Sequence, residues 1–144
     1  MAKAGFNHVV NLTEDTSSYD PNPLRLLCSL SLEDLAHGGG PEDPEREEAL
    51  IRKATESVVR TLSAGESVVI HCAGGRGRTG TVIACVLKVF GHDPNEIVDA
   101  LNSLHISRGK AGWPESPWQS ELVRGWPTPD SGLAMPDWRR NESR

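Results

Sequence analysis

The β-branched run Ser67-Val68-Val69-Ile70-His71-Cys72 passes without a spacer into Ala73-Gly74-Gly75-Arg76-Gly77-Arg78-Thr79-Gly80, and the apolar stretch from Thr81 to Phe90 begins at once. This junction limits the fold more tightly than any other part of the chain. Consecutive valine and isoleucine suit a strand packed within a core. The stretch from Thr81 to Phe90 is apolar nearly all round, which predicts a buried central helix. A strand that turns into such a helix through a few glycines places both in one layered α/β unit.

The other segments fit that unit. His8 to Leu12 reads as a short buried strand and Leu24 to Leu32 as a second one. Between them, Thr13 to Pro23 is polar and turn-rich, a loop. Glu33 to Pro44 holds Gly38-Gly39-Gly40-Pro41 and four acidic residues, and is expected to be a mobile loop. Asp43-Pro44-Glu45 then puts an N-cap residue before a proline at the first helical position. The following helix, Glu45 to Ala64, carries Leu50, Ala54, Val58 and Leu62 at spacings of four, widened by Ile51 and Val59, and ends at Gly65. Gly91 stops the central helix, and Asp93-Pro94-Asn95-Glu96 starts another with Ile97, Val98, Leu101 and Leu104 on one side. Ser116 to Trp126 forms the last helix, after a break at Gly109 to Pro114. The expected fold is α/β, a small central mostly parallel sheet flanked by helices. One domain is expected over residues 1–126, with a Pro-rich polar tail over 127–144.

Bulk properties exclude several classes. A length of 144 residues suits a single core, and 37% hydrophobic with 24% charged residues is the balance of an ordinary soluble chain. No apolar run is long enough for a membrane span, and no signal peptide opens the chain, so a cytoplasmic location is the default expectation. The formal charge of −5 argues against a nucleic-acid surface. An anionic ligand must therefore be gathered locally, by a few placed arginines and amides. Cys28, Cys72 and Cys85 are too few and too widely spaced for a disulfide framework, and no C-x-x-C pair or His cluster suggests zinc. No metal and no cofactor are expected.

Within the junction each residue type has a physical task. The strand delivers Cys72 to the carboxyl edge of the sheet, where α/β proteins place ligands. Gly74, Gly75 and Gly77 let the backbone bend so that successive amides, from Ala73 through Arg78, turn inward as an anion nest. The helix that starts near Thr79 aims its positive end at the same point. Arg78 can hold two phosphate oxygens with one planar fork. The same field acidifies a thiol: a free cysteine with pKa about 8.5 is only a few per cent ionised at pH 7, and a helix end with nearby cations lowers that to roughly 3.5–7.5. Cys72 is then a standing thiolate. A nucleotide-binding P-loop would need a lysine after the last glycine, and Gly80 is followed by Thr81.

His71-Cys72 followed by five residues and Arg78-Thr79-Gly80 resembles the signature of the protein tyrosine phosphatase superfamily. The form Ala73 to Gly80 is most similar to its compact dual-specificity branch. Gly5 to Leu12 resembles the strand before that branch's acid loop, and Ser116-Pro117-Trp118-Gln119 its late glutamine region. The resemblance implies that Cys72 is the nucleophile, Arg78 the phosphate clamp and Thr79 a donor that helps the thiolate leave. It also implies a general acid, an aspartate on a loop upstream of the cysteine. Asp34, in Leu30-Ser31-Leu32-Glu33-Asp34, stands where that loop should start, although Ser31 takes the place of a frequent proline. Asp43 is the alternative acid, with helix capping as its better role. Glu42, Glu47 and Glu48 read as solvated carboxylates.

His71 is expected to support the loop, and Gln119 to position the hydrolytic water. Arg76 would face the mouth of the site and favour substrates with extra negative charge, or else serve solubility. Cys28 and Cys85 read as core thiols, one of which can trap an oxidised nucleophile in related enzymes. The tryptophans, at 113, 118, 126 and 138, read as core or edge packing. Relatives in the branch carry a further N-terminal segment with a strand, so a sheet edge is expected to need cover from the tail, from Leu24 to Leu32, or from a second chain, and a dimer is the resulting hypothesis.

The expected function is a phosphatase acting on phosphotyrosine, and also phosphoserine or phosphothreonine, of a phosphorylated protein or peptide, through a phosphocysteine. The alternatives are a phosphatase for a non-protein phosphomonoester, such as a phosphoinositide or an RNA 5′ phosphate, and a phosphate-binding module without turnover. A rhodanese-like enzyme is disfavoured by the matches at Gly5 to Leu12 and Gln119.

Overall fold

The computed structural model describes residues 8–12, 25–33, 35, 38–71, 77–109 and 112–127. Three parallel strands form one sheet: β1 (His8–Asn11), β2 (Arg25–Ser29) and β3 (Val68–His71), in the order β2-β1-β3. Every residue of β1 is buried, as its place between two neighbours requires. It pairs with β3 in unbroken register, His8 opposite Val68 and Asn11 opposite His71, and with β2 through a register shift at Val9/Val10.

Parallel pairing brings the carboxyl ends of all three strands to one edge. That edge is pinned by Leu12 N–H donating to the His71 carbonyl (2.9 Å), Leu30 N–H to the Asn11 carbonyl (2.8 Å) and Asn11 Nδ2 to Ser29 Oγ (3.1 Å). The end of β3 is therefore fixed, and Cys72 is the next residue in the chain. The strand from the Leu24 to Leu32 segment, β2, covers one edge of β1.

Four helices complete the unit: α1 (Pro44–Ser63), α2 (Gly77–Val89), α3 (Pro94–Ser107) and α4 (Pro117–Arg124). The central one is α2, packed against α1, α3, α4 and β3. Its Val82, Ala84, Cys85 and Val89 are buried in a core with Val10, Leu12, Ile51, Val58 and Val59. Burying each such valine or leucine is worth roughly 1.5–3 kcal/mol. Even Lys88 is buried, its ammonium donating to the Arg124 carbonyl at 3.1 Å.

The helix starts follow the sequence signals. Asp43 Oδ1 accepts from Arg46 N–H (3.1 Å), and Asp93 Oδ2 from Asn95 and Glu96 N–H (3.0 and 3.2 Å). Asp43 is thus a helix cap. Gly65 and Gly91, at φ 82° and 96°, take the left-handed backbone just past the ends of α1 and α2. Two stripe residues differ from expectation. Leu62 and Leu104 are 39% and 49% exposed. In α3 the inward line is Ile97, Leu101, His105, and Leu104 stands about 100° around the helix from His105. No helix among the described residues is long and apolar enough to cross a membrane.

Candidate active site

Residues 72–76 and Asp34 lie outside the described residues, and the chain is described again from Gly77. Gly77 to Gly80 form the first turn of α2, and all four are buried. Arg78 is 6% exposed and Thr79 8%. The helix begins two residues earlier than the Thr79 start expected from sequence, which brings Arg78 into the turn whose amide hydrogens carry the positive end of the helix dipole. No acidic residue occupies that first turn. A buried guanidinium and the positive end of a helix together favour an anion placed between them.

The segment from Trp113 to Gln119 covers it. Trp113 Nε1 donates to the Gly77 carbonyl at 3.3 Å, and Thr81 Oγ1 donates to the same oxygen at 2.7 Å. The approach is close at two glycines, and at Gly80 a rigid ring leaves no room for a side chain. A Cβ on Gly77 would overlap the Glu115 carboxylate and come within 3.0 Å of Gln119 Nε2. One on Gly80 would lie 2.6 Å from the Trp113 ring.

Gln119 is buried, at 2% exposure. Its Oε1 accepts from Glu115 N–H (2.8 Å) and Ser116 N–H (3.3 Å), completing a capping box with Ser116 at the start of α4. This leaves Nε2 as the part of the side chain turned toward Gly77. His71 ends β3 half-buried, and burial holds its imidazole pKa below the usual value, favouring the neutral ring. Trp113 and Trp126 are core residues, and Arg52 stacks 4.7 Å from the Trp126 ring centroid. Trp138 lies outside the described residues, as does Arg76.

Burial pushes the Cys28 thiol up and the Cys85 thiol far up, so both remain protonated at neutral pH. Neither is an activated nucleophile; Cys85 is a core thiol as expected, whereas Cys28 is half-buried against the core.

One sequence expectation is overturned. Glu47, read as a solvated carboxylate, is 2% exposed. The α1 stripe explains it: Glu47, Ile51, Ala54, Val58 share the inward face. Its Oε2 accepts from Glu33 N–H at 2.9 Å, and it lines one small recess with Leu32, Ile51, Arg78 and Gln119. Burial raises its pKa from 4.5 to about 7, against the bond from Glu33 N–H and the Arg78 charge, which pull it down.

A carboxyl whose pKa is higher folded than unfolded binds its proton more tightly in the fold. The stability this confers is complete below about pH 4.5 and is lost as pH rises through about 7. The loss is on the order of 3 kcal/mol. Glu47→Gln cannot ionise. Its melting temperature relative to wild type is expected to rise from pH 5 to pH 8, and a difference independent of pH would contradict the assignment.

Residues 1–113 match the family model described as PTP-SAK, Swiss Army Knife protein, DSP-PTPase phosphatase domain. The chain belongs to this phosphatase family. Protein 067L of Invertebrate iridescent virus 3, described as a candidate tyrosine phosphatase, is 28% identical over 132 residues, covering 86% of this chain and 55% of its own. The mouse tyrosine-protein phosphatase non-receptor type 14 is 32% identical over 91 residues, 58% of this chain and 8% of its own. The triple specificity protein phosphatase PtpB of Mycobacterium tuberculosis is 45% identical over 47 residues, 33% of this chain and 17% of its own. The chain thus spans about half or less of these relatives' lengths.

Among solved structures, DUSP15 superposes with a TM-score of 0.65 at 13% identity, covering 99% of this chain and 80% of that one. Tk-PTP in its active form gives 0.60 at 22% identity, covering 85% and 79%. The fold is that of the compact dual-specificity phosphatases, a small parallel sheet with four helices.

Proposed function

We propose that the chain is a cysteine-dependent phosphatase that hydrolyses phosphotyrosine, and also phosphoserine and phosphothreonine, on proteins or peptides. The observation that carries this reading is Arg78, buried in the first turn of α2, six residues beyond Cys72.

In the first step the Cys72 thiolate attacks phosphorus in line. The S–P bond forms as the P–O ester bond breaks, and Asp34 passes its proton to the leaving oxygen. Arg78 and the amides of residues 73–78 bind the three equatorial oxygens. In the second step water attacks the phosphocysteine, Asp34 takes the water's proton, and the S–P bond breaks. Thr79 donates to the departing thiolate, and His71 supports the loop from the end of β3. Gln119 contributes Nε2 to the water, since its oxygen is committed to capping α4.

Hydrolysis of an aryl phosphate by the wild type, inhibited by vanadate, tests the reading. Absence of hydrolysis would favour the phosphate-binding module instead. A panel of phosphopeptides and phosphoinositides then sorts substrates, and Arg76→Ala reads whether that residue favours the more highly charged ones.

Asp34→Asn is expected to lower kcat on alkyl phosphates by about 10²–10⁴-fold. The loss should be much smaller on a nitrophenyl ester, whose leaving group needs no proton, and vanadate affinity should be kept. If Asp43→Asn gave that profile and Asp34→Asn did not, the acid is misassigned.

A further inference from the structure

We infer that Glu47 is a positioning residue for proton delivery, fixing the backbone at Glu33, one residue before Asp34, against the wall that carries Arg78. The inference rests on the reading of Asp34 as the acid. The bond from Glu33 N–H to Glu47 Oε2 (2.9 Å) joins the segment after β2 to the first turns of α1. Glu33 answers from its own side chain: Oε1 accepts from Glu42 N–H (2.7 Å) and Oε2 from Asp43 N–H (3.2 Å). The two carboxylates thus form a reciprocal bracket, each accepting from backbone N–H groups of the other's segment.

The Glu33 N–H to Glu47 bond is the sheltered half of the bracket, and the bonds to the Glu33 carboxylate are exposed. Leu32 and Leu35 beside Glu33, and Ile51 one turn beyond Glu47, are each about 1% exposed. A hydrogen bond there is stronger than in water and is costly to break. Arg78 and Gln119 line the same recess as Glu33 and Glu47. The chain at Glu33 is therefore held beside the residue assigned as phosphate clamp.

A purely structural role accounts poorly for the residue. Glu47 Oε1 is buried and has no hydrogen-bond partner among the described residues. An apolar side chain on this inward stripe would avoid that cost. Its raised pKa, to about 7, reports the same expense. A fold that keeps an expensive group next to its reactive centre does so for what the group holds in place.

The test uses the full chain with Glu47→Ala, Glu47→Gln and Glu33→Ala, the last removing half of the bracket from a side chain outside the core. Each is assayed on an alkyl phosphate and on nitrophenyl phosphate, with tungstate affinity measured in parallel. Glu47→Ala is expected to lower kcat on the alkyl ester by about 10–100-fold and on nitrophenyl phosphate by less than about 3-fold, because only the former needs the acid. Glu33→Ala should shift the ratio the same way, by less. Glu47→Gln keeps an oxygen for Glu33 N–H and should restore the ratio to within about 3-fold of wild type, with tungstate affinity changed by no more than that in any variant. Equal losses on both esters, or a Gln variant as impaired as Ala, would overturn the inference. Asp34→Asn run alongside separates the two failures. A selective loss there with uniform losses at Glu47 sinks the positioning role alone. No selective loss at Asp34 removes the acid, and the positioning role with it.

Discussion

Cys72→Ser is expected to lower turnover of any phosphomonoester by about four orders of magnitude or more while leaving tungstate affinity within a few-fold of wild type. A serine hydroxyl keeps the size of the side chain but stays protonated in a field that would ionise a thiol. Attack on phosphorus is lost, whereas the amides and Arg78 that bind the oxyanion remain. The other two cysteines cannot substitute, since burial keeps both as thiols. Steady-state kinetics beside calorimetric titration with tungstate read both halves. A serine variant that keeps more than about a hundredth of wild-type turnover would place the nucleophile elsewhere.

Arg78→Ala carries the second large effect, a fall in kcat/KM of about 10³–10⁵-fold, the range found when a transition-state arginine is removed from phosphoryl transfer. Arg78→Lys should recover only part, because an ammonium cannot span two equatorial oxygens. The two variants also read the ground state. Tungstate at 100 times its Kd should stabilise the wild type by about 2.7 kcal/mol and raise its melting temperature, and Arg78→Ala should lose most of that shift. A full thermal shift in Arg78→Ala would mean that the backbone nest alone binds the anion, and that Arg78 is buried for structural reasons.

The strand-loop-helix junction was legible because three independent signals coincide in one stretch: β-branched residues, glycines, then a run apolar on every side. Caps at Asp43 and Asp93 and stops at Gly65 and Gly91 follow from local chemistry, and the helices begin and end within a few residues of where those signals stand. Tertiary packing is what a single sequence conceals. Glu47 and Glu48 are adjacent and chemically alike, yet one faces the core and the other solvent, a 100° difference on α1. The inward spacing of Glu47, Ile51, Ala54 and Val58 was the available signal, and the acidic character of Glu47 outweighed it. Gln119 was singled out as a water-positioning group. Its second duty, capping α4 across Glu115 and Ser116, appears only when the chain is folded. The crowding of Gly77 and Gly80 by Glu115 and Trp113 joins residues more than thirty apart and had no local sign. Asp34, Cys72 and Arg76 lie outside the described residues, and their roles stand on sequence and chemistry.

The central claim is covalent catalysis by Cys72. Rapid acid quench of the wild type during turnover of an aryl phosphate, followed by mass spectrometry of the peptide that contains Cys72, tests it most directly. The account predicts one added phosphoryl group on that peptide, appearing within a single turnover and absent from Cys72→Ser. Sustained turnover with no phosphoryl group on Cys72, or with the group on another residue, would contradict it.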